Sequence, residues 1–236
     1  MSFFEDFVGR VMPFLTLVVL ILGLGYRMRR WQKAAVANMA LFPAASKSRG
    51  EMWRKLVGEI FLFSTFRKEN RQLWSQTWIF HGCLALILLG HTRLITDWPL
   101  RVLFGMSKGA VDSLSAWAGG ICGILAMLTC LFLLGRRFTQ QRVREISTGE
   151  DYSAIGLLLL ILVTGNTMRF FTHFDVTAAQ AYFASLFTLG PILVPRDPMF
   201  LLHFLLVQLL LIYLPFGKLL HIPGIFYSKP LLAKDY

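Results

Sequence analysis

The sequence predicts an all-α integral membrane protein, a bundle of five transmembrane helices with its N-terminus outside and its C-terminus in the cytoplasm. Hydrophobic residues make up 56% of the 236 positions and charged residues only 16%, well below the roughly 25% usual in soluble domains. Five apolar stretches are long enough to cross a bilayer, and most basic residues fall in segments on one side of it. No repeat or flexible linker interrupts the chain, so residues 1–236 are predicted to form a single membrane domain.

The predicted spans match the roughly 20 helical residues that a hydrocarbon core of about 30 Å requires. They cover about 7–26, 77–96, 114–134, 152–171 and 199–220. The first span is not interpreted as a signal peptide, because Glu5 and Asp6 stand where a basic region would be expected and no A-x-A site follows.

The charges predict the orientation. The chain has 24 Lys and Arg against 13 Asp and Glu, a formal charge of +11. Segments 27–76, 135–151 and 218–236 hold 18 of the basic and 7 of the acidic residues, and the rest of the chain holds 6 of each. The positive-inside rule makes those three segments cytoplasmic, so the basicity requires no nucleic-acid partner.

The first cytoplasmic loop is long, and Met52–Phe66 within it is predicted to be an amphipathic helix. Trp53, Val57 and Ile60 recur at helical spacing between charged positions, which is typical of a helix lying at the headgroups. Such a helix could serve membrane adhesion alone or could dock a cytoplasmic partner. Both interpretations stay open.

Four histidines carry the chemistry, since ionisable side chains within a membrane bundle are functional by default. His81 and His91 lie on the second span and His203 and His221 on the fifth. At about 1.5 Å per residue, His91 lies about 15 Å further out than His81, and His221 about 27 Å further in than His203. Because the two spans run in opposite directions, His81 is level with His221 and His91 with His203. His203 and His221 on the fifth span are five helical turns apart and would share one face of that helix.

Each pair has the two imidazoles that fill both axial positions of a haem iron. This leaves no open position for oxygen or substrate, so the chemistry is electron transfer and no catalytic residue is predicted. Gly82, Gly90 and the "WAGGICG" stretch at Trp117–Gly123 would let a flat macrocycle approach the backbone, although small residues also promote helix packing. Cys83, Cys122 and Cys130 lack the CxxC or CxxCH spacing of cluster, zinc or haem c sites and are interpreted as core residues; His173 is predicted to be solvated.

Polar residues in the outer third of the bundle are candidate contacts to a quinone or to haem propionates. They are Arg93, Lys108, Asn166 and Arg169. An arginine facing lipid at the bilayer centre costs about 2.5–3.5 kcal/mol. Arg169 is therefore expected either to pair with a propionate or to reach the outer headgroups.

The sequence resembles the cytochrome b (gamma) subunits of respiratory nitrate reductases. The resemblance rests on "HGCLALILLGH", "HFLLVQLLLIYLPFGKLLH" with its "PFxKLxH" ending, the "AGG" of the third span and the five-span layout. It covers almost the whole chain. It implies two haems b, the inner one bound by His81 and His221 and the outer one by His91 and His203, with a quinone, here menaquinone, near the outer haem.

A particular branch is indicated by the long first inner loop, by "FRKENRQLW" and by "TGNTMRFF". These resemble the subunits of heterodisulfide-reductase-like complexes of sulfur metabolism, including the sulfite-reduction-associated complex and the tetrahaem cytochrome c:menaquinone oxidoreductase. The resemblance implies a redox subunit of a quinone-linked respiratory oxidoreductase in the cytoplasmic (inner) membrane. Its partners would be membrane lipid, a cytoplasmic iron–sulfur subunit resembling heterodisulfide reductase and a periplasmic multihaem cytochrome c. The competing interpretation is a haem-free membrane anchor or proton-relay subunit.

Overall fold

The computed structural model describes residues 3–33, 49–188 and 191–221. Throughout these ranges the regular structure is helical, without strands. The helices, in chain order, are α1 Phe3–Lys33, α2 Arg49–Leu62, α3 Ser64–Glu69, α4 Arg71–Leu94, α5 Lys108–Thr139, α6 Gln141–Ile146, α7 Gly149–Thr172, α8 Val176–Leu186 and α9 Pro198–Tyr213. Short π-helical turns lie at Phe7–Val11, Pro99–Leu103 and Met168–Thr172.

Four of these helices, α1, α4, α5 and α7, are long and apolar enough to cross a membrane. They correspond to the first four predicted spans. The fifth predicted span, 199–220, is helical only as α9, whose 16 residues extend about 24 Å. Pro215 follows closely, and proline lacks the N–H that would continue the helix. The chain then proceeds in turns to His221, so the prediction that His203 and His221 share one face of an unbroken helix is wrong.

Three pairs of neighbouring helices pack antiparallel: α4 on α5, α5 on α7, and α7 on α9. Arg93 near the end of α4 pairs with Asp112 near the start of α5, and Arg137 near the end of α5 pairs with Asp151 near the start of α7. The loop between α5 and α7 is therefore at the opposite end of the bundle from the loop between α4 and α5.

Helix α1 lies parallel to α9, with Thr16 beside Gln208 and Gly23 beside Pro215. The Gln208 side chain is only 1% exposed. It donates to the Val8 carbonyl at 3.2 Å and accepts from the Thr16 hydroxyl at 3.5 Å. A buried amide left without partners costs roughly 1–3 kcal/mol, so these bonds hold α1 against α9.

The two ends of the bundle differ in what covers them. At one end α8 packs over the starts of α1 and α9, where fully buried Tyr182 donates to the Gly9 carbonyl at 2.7 Å. At the other end Lys218, after α9, pairs with Asp151 of α7 at 2.9 Å. Following the orientation predicted from charge, the α8 end is called the outer end and the opposite end the inner end.

A core of buried side chains joins α4, α5 and α7 between these ends. It consists of Phe80, Cys83, Cys122, Ala126, Cys130 and Leu162. All three cysteines are buried and free of disulfide bonds, in agreement with their interpretation as core residues.

The predicted amphipathic helix at Met52–Phe66 is found as α2, but it ends at Leu62 and not at Phe66. The break is at Phe63, whose φ of +45° is rare for a bulky side chain. Trp53 and Val57 are about half exposed, as expected for a helix at a surface. Helices α2 and α3 are together called the inner segment.

Two tryptophans of α4 attach the inner segment to the bundle. The indole N–H of Trp74 donates to the Leu62 carbonyl at 2.7 Å, and that of Trp78 donates to the Phe61 carbonyl at 3.0 Å. The last carbonyls of a helix have no intrahelical partner. These bonds therefore satisfy the end of α2 and hold it beside α4.

Candidate functional site

The structure brings the four histidines of the two spans together in two pairs. The ring centroids of His81 and His221 are 6.0 Å apart at the inner end, with an angle of 81° between the ring planes. Those of His91 and His203 are 6.5 Å apart toward the outer end, with an angle of 18°. Both separations suit a single metal ion between the rings, since two metal–imidazole bonds of about 2 Å in line place the centroids roughly 6 Å apart.

Helix α4, which bears His81 and His91, and helix α9, which bears His203, leave space between them. In the described part of the chain α4 packs on α5, and α9 packs on α7 and α1, whereas α4 and α9 have few or no close backbone contacts with each other. A Cβ added at Gly82 or Gly90, beside the α4 histidines, would meet no heavy atom within 4 Å. The residues present therefore fit a flat macrocycle held between two imidazoles.

Hydrogen bonds at the Nδ1 atoms orient three of the rings. The Nδ1 of His81 is 2.8 Å from the Thr77 carbonyl, and that of His91 is 2.7 Å from the Ile87 carbonyl. A carbonyl only accepts, so each Nδ1 carries the proton and each Nε2 keeps its lone pair for a metal. The Nδ1 of His203 instead lies 2.9 Å from the hydroxyl of Thr164 on α7.

The inner pair is flanked by aromatic rings. The ring centroid of His81 is 5.2 Å from that of Phe63 and 5.3 Å from that of Phe80. The rings of His81 and Phe80 are arranged edge to face. Phe63 is the residue at which the inner segment turns, so this segment contacts the inner pair directly.

The glycine-rich face of α5 is filled by side chains of α7. A Cβ added at Gly119 would meet Arg169, and one added at Gly120 would meet Phe170. A Cβ added at Gly123 would meet Asn166. Asn166 donates to the Gly123 carbonyl at 3.1 Å. Of the two interpretations of "WAGGICG", the structure therefore supports close helix packing for these three glycines.

Arg93, a candidate quinone contact, lies at the centre of a hydrogen-bond network within the protein. Its side chain is buried and reaches Asp97 at 2.8 Å and Asp112 at 2.6 Å. Its backbone carbonyl accepts from Gln180 of α8 at 2.8 Å. Hydrogen bonding from the Arg93 guanidinium holds the pKa of Asp97 below its usual value. The network joins α4, α5 and α8 at the outer end.

The other candidates have different surroundings. Arg169 donates to the Ala116 carbonyl at 3.3 Å and packs against Gly119, and the residue as a whole is exposed. Lys108 is the exposed first residue of α5 and not part of a loop. His173 is exposed, as predicted, and adopts a left-handed conformation that ends α7.

A cavity of about 810 Å³ opens at the outer end between α8 and the loop after α4. Its polar lining includes Asp97, Arg101 and Gln180. The remainder is largely apolar, including Ile95, Trp98, Val102, Met106, Ala181 and Ala184. This cavity was not predicted, because no helix was predicted between the fourth and fifth spans. Helix α8 nevertheless has Ala179, Tyr182 and Ser185 buried at helical spacing.

The model of the nitrate reductase gamma subunit family matches residues 63–232, most of the chain. The chain belongs to the nitrate reductase gamma subunit family. Four helices among the described residues are long and apolar enough to cross a membrane, and the chain is a multi-pass membrane protein. The matched region includes all four paired histidines.

Relatives of this family extend the match. The chain is 29% identical to the Hdr-like menaquinol oxidoreductase cytochrome b-like subunit of Archaeoglobus fulgidus, over 93% of this chain and 77% of the relative. It is 27% identical to the respiratory nitrate reductase 2 gamma chain of Escherichia coli, over 66% of this chain and 72% of the relative. The archaeal alignment leaves out so little of the chain that it must include most of α1 and the inner segment. The predicted resemblance to the Hdr-like branch is thereby confirmed.

Proposed function

We propose that this chain is a dihaem cytochrome b subunit that passes electrons across the membrane between menaquinol and an iron–sulfur partner in the cytoplasm. The observation that carries the proposal is the pair of facing histidine rings at each end of one gap, 6.0 and 6.5 Å apart. Four histidines that served only helix packing would not need matched ring separations at two levels of the bundle.

The chain's own residues supply what such a subunit needs. His81 and His221 would hold the inner haem, and His91 and His203 the outer one. A haem bound by two imidazoles supplies one-electron transfer and has no open position for a substrate. Thr77 and Ile87 hold the α4 rings with Nε2 toward the gap.

The proposal includes five crossings with the N-terminus outside. The supporting observation is that α9 begins beside Tyr182 at the outer end and that Lys218, after its turns, reaches Asp151 at the inner end. The 16 helical residues and the turns after them therefore cover the depth of the bundle together. The basic segments 135–151 and 218–221 share the inner end, as the positive-inside rule requires.

The cavity at the outer end is our candidate site for menaquinol. Its volume of about 810 Å³ lies within the range of about 300–1,000 Å³ of small-molecule sites. Its apolar lining suits an isoprenoid tail. The Asp97 carboxylate can accept a hydrogen bond from a quinol hydroxyl, and the Gln180 amide can donate one to a quinone oxygen. The relatives named menaquinol oxidoreductase subunits support this choice of substrate.

The iron–sulfur partner is proposed at the inner end. The inner segment lies there, attached by Trp74 and Trp78 and in contact with His81 through Phe63. A protein seated on this segment would therefore be close to the inner pair. The basic surface of the inner end favours a partner with an acidic surface.

A reduced-minus-oxidised visible spectrum of the purified chain tests the haem proposal. We expect sharp b-type bands. A spectrum without haem bands would contradict the proposal and leave the haem-free anchor or relay.

Filling the cavity tests the quinol site. Ala184→Trp should slow reduction of the haems by a menaquinol analogue at least several-fold while dithionite still reduces them fully. Ala110→Trp, at an exposed position outside the cavity, is the matched control. Equal reduction rates in both variants would contradict this location, and reduction only by a reduced cytochrome c would point to a protein donor.

A further inference from the structure

The "TGNTMRFF" stretch of α7 divides into two faces with different tasks. Asn166, Arg169 and Phe170 pack into the glycine face of α5. Thr164 and Gly165 lie against His203 of α9. Residues three and four apart share a helix face, so one short stretch fixes α7 to α5 and presents its other side to His203.

Two observations show how closely His203 is held. Thr164 is only 7% exposed, and its hydroxyl is 2.9 Å from the Nδ1 of His203. At Gly165 an added Cβ would be 3.2 Å from the Cε1 of the same ring. The ring therefore rests on the backbone of α7 and is hydrogen-bonded at one edge.

The direction of the hydrogen bond follows from the other contacts of Thr164. Its hydroxyl lies 2.9 Å from the Leu160 carbonyl and 3.0 Å from that of Ile161, and both carbonyls are acceptors for its single proton. With that proton directed to a carbonyl, the oxygen accepts from the Nδ1–H of His203, which is the tautomer that leaves Nε2 free for a metal.

We propose that Thr164 is a positioning residue for the outer redox site: its hydroxyl fixes the tautomer and orientation of His203 and strengthens this ligand as an electron donor. The inference rests on the proposed function. An acceptor on the outer nitrogen of a ligating imidazole raises its electron density and locks its ring orientation. A stronger donor stabilises ferric over ferrous iron, so Thr164 lowers the midpoint potential of the outer haem.

Three variants separate the hydroxyl from the volume of this side chain. Thr164→Val keeps the shape and removes the acceptor, whereas Thr164→Ser keeps the acceptor. Thr167→Val is the matched control, because Thr167 lies on the same helix and its hydroxyl donates to the Val163 carbonyl. Haem content and the two midpoint potentials of the purified protein are measured in each.

We expect Thr164→Val to raise one midpoint potential, or to lose one haem, and to leave the other haem unchanged. Thr164→Ser and Thr167→Val should behave like the wild type. Unshifted potentials in Thr164→Val would overturn the inference, as would the same shift in Thr164→Ser, or loss of both haems in both Thr164 variants. These results presuppose haem in the wild type; a haem-free wild-type protein would overturn the proposed function itself and this inference with it.

Discussion

The outer and inner histidine pairs have similar ring separations, but the structure holds them in different ways. His91 and His203 both lie within helices, and the neighbouring helix α7 supports His203 through Thr164. His221 lies beyond the end of α9, after Pro215 has interrupted the helix. It is tied to the bundle three residues earlier, where Lys218 contacts Asp151 and Thr148.

The outer site is supported by a hydrogen bond to the buried residue Thr164, and the inner site by exposed charges. An ion pair at the surface is screened by salt, whereas a hydrogen bond to a neutral buried residue is not. The inner pair also touches the inner segment through Phe63. We therefore expect the inner site to respond to salt and to a docked partner, and the outer site to be more rigid.

The largest expected effect comes from removing a ligand. His91→Ala or His203→Ala should remove the outer haem alone, and His81→Ala or His221→Ala the inner haem alone, because each pair lies at its own level. Haem content and redox titration measure this.

The control for these variants is His173→Ala, which changes an exposed histidine away from both pairs. It should leave the haem content unchanged. Normal haem content in all four ligand variants would end the comparison, and loss of both haems from every one would contradict the independence of the sites.

A smaller effect is expected from the ion pair that secures the inner end. Lys218→Met keeps the aliphatic stem and removes the charge next to Asp151. Exposed ion pairs contribute about 0.2–1 kcal/mol, so the inner haem should dissociate up to about fivefold faster. Stopped-flow transfer of haem to an acceptor protein measures the rate.

Lys33→Met, an exposed lysine at the end of α1, is the matched control and should be neutral. High salt should reproduce the effect of Lys218→Met in the wild type. If Lys218→Met instead accelerated loss of the outer haem, the assignment of this ion pair to the inner site would be wrong.

The smallest effect concerns pH and the Arg93 network at the outer end. Asp97 has a pKa below its usual value of 3.8 because Arg93 donates a hydrogen bond to its carboxylate. Between these two pKa values, the folded protein keeps Asp97 ionised whereas the unfolded chain binds a proton. The resulting stabilisation of the fold is complete at a pH above the usual pKa and is lost as the pH falls through the lowered pKa.

Asp97→Asn should therefore be less stable than the wild type at neutral pH, and the difference should shrink in acid. Thermal unfolding of the purified protein between about pH 3 and pH 7 measures it. A difference that grew as the pH fell would contradict this role of Asp97.

The pairing of the histidines could be predicted because it depends only on helical rise and on the antiparallel order of the spans. The end of α9 could also have been predicted, since Pro215 is visible in the sequence. The role of Thr164 could not have been predicted, because it depends on which helix lies beside α9 and on how that helix is rotated about its own axis. The glycines of α5 fit either a cofactor or a helix, and only the positions of Asn166 and Arg169 decide between them.

The electron paramagnetic resonance spectrum of the oxidised protein tests the central claim most directly. Each imidazole interacts with one iron d orbital set by its ring plane, so nearly parallel rings act on the same orbital and perpendicular rings on different ones. Ring angles of 18° and 81° therefore predict two distinct low-spin signals, the inner one more anisotropic. His81→Ala should abolish the more anisotropic signal alone. The absence of low-spin ferric haem, or a single signal that no histidine variant changes selectively, would contradict the account.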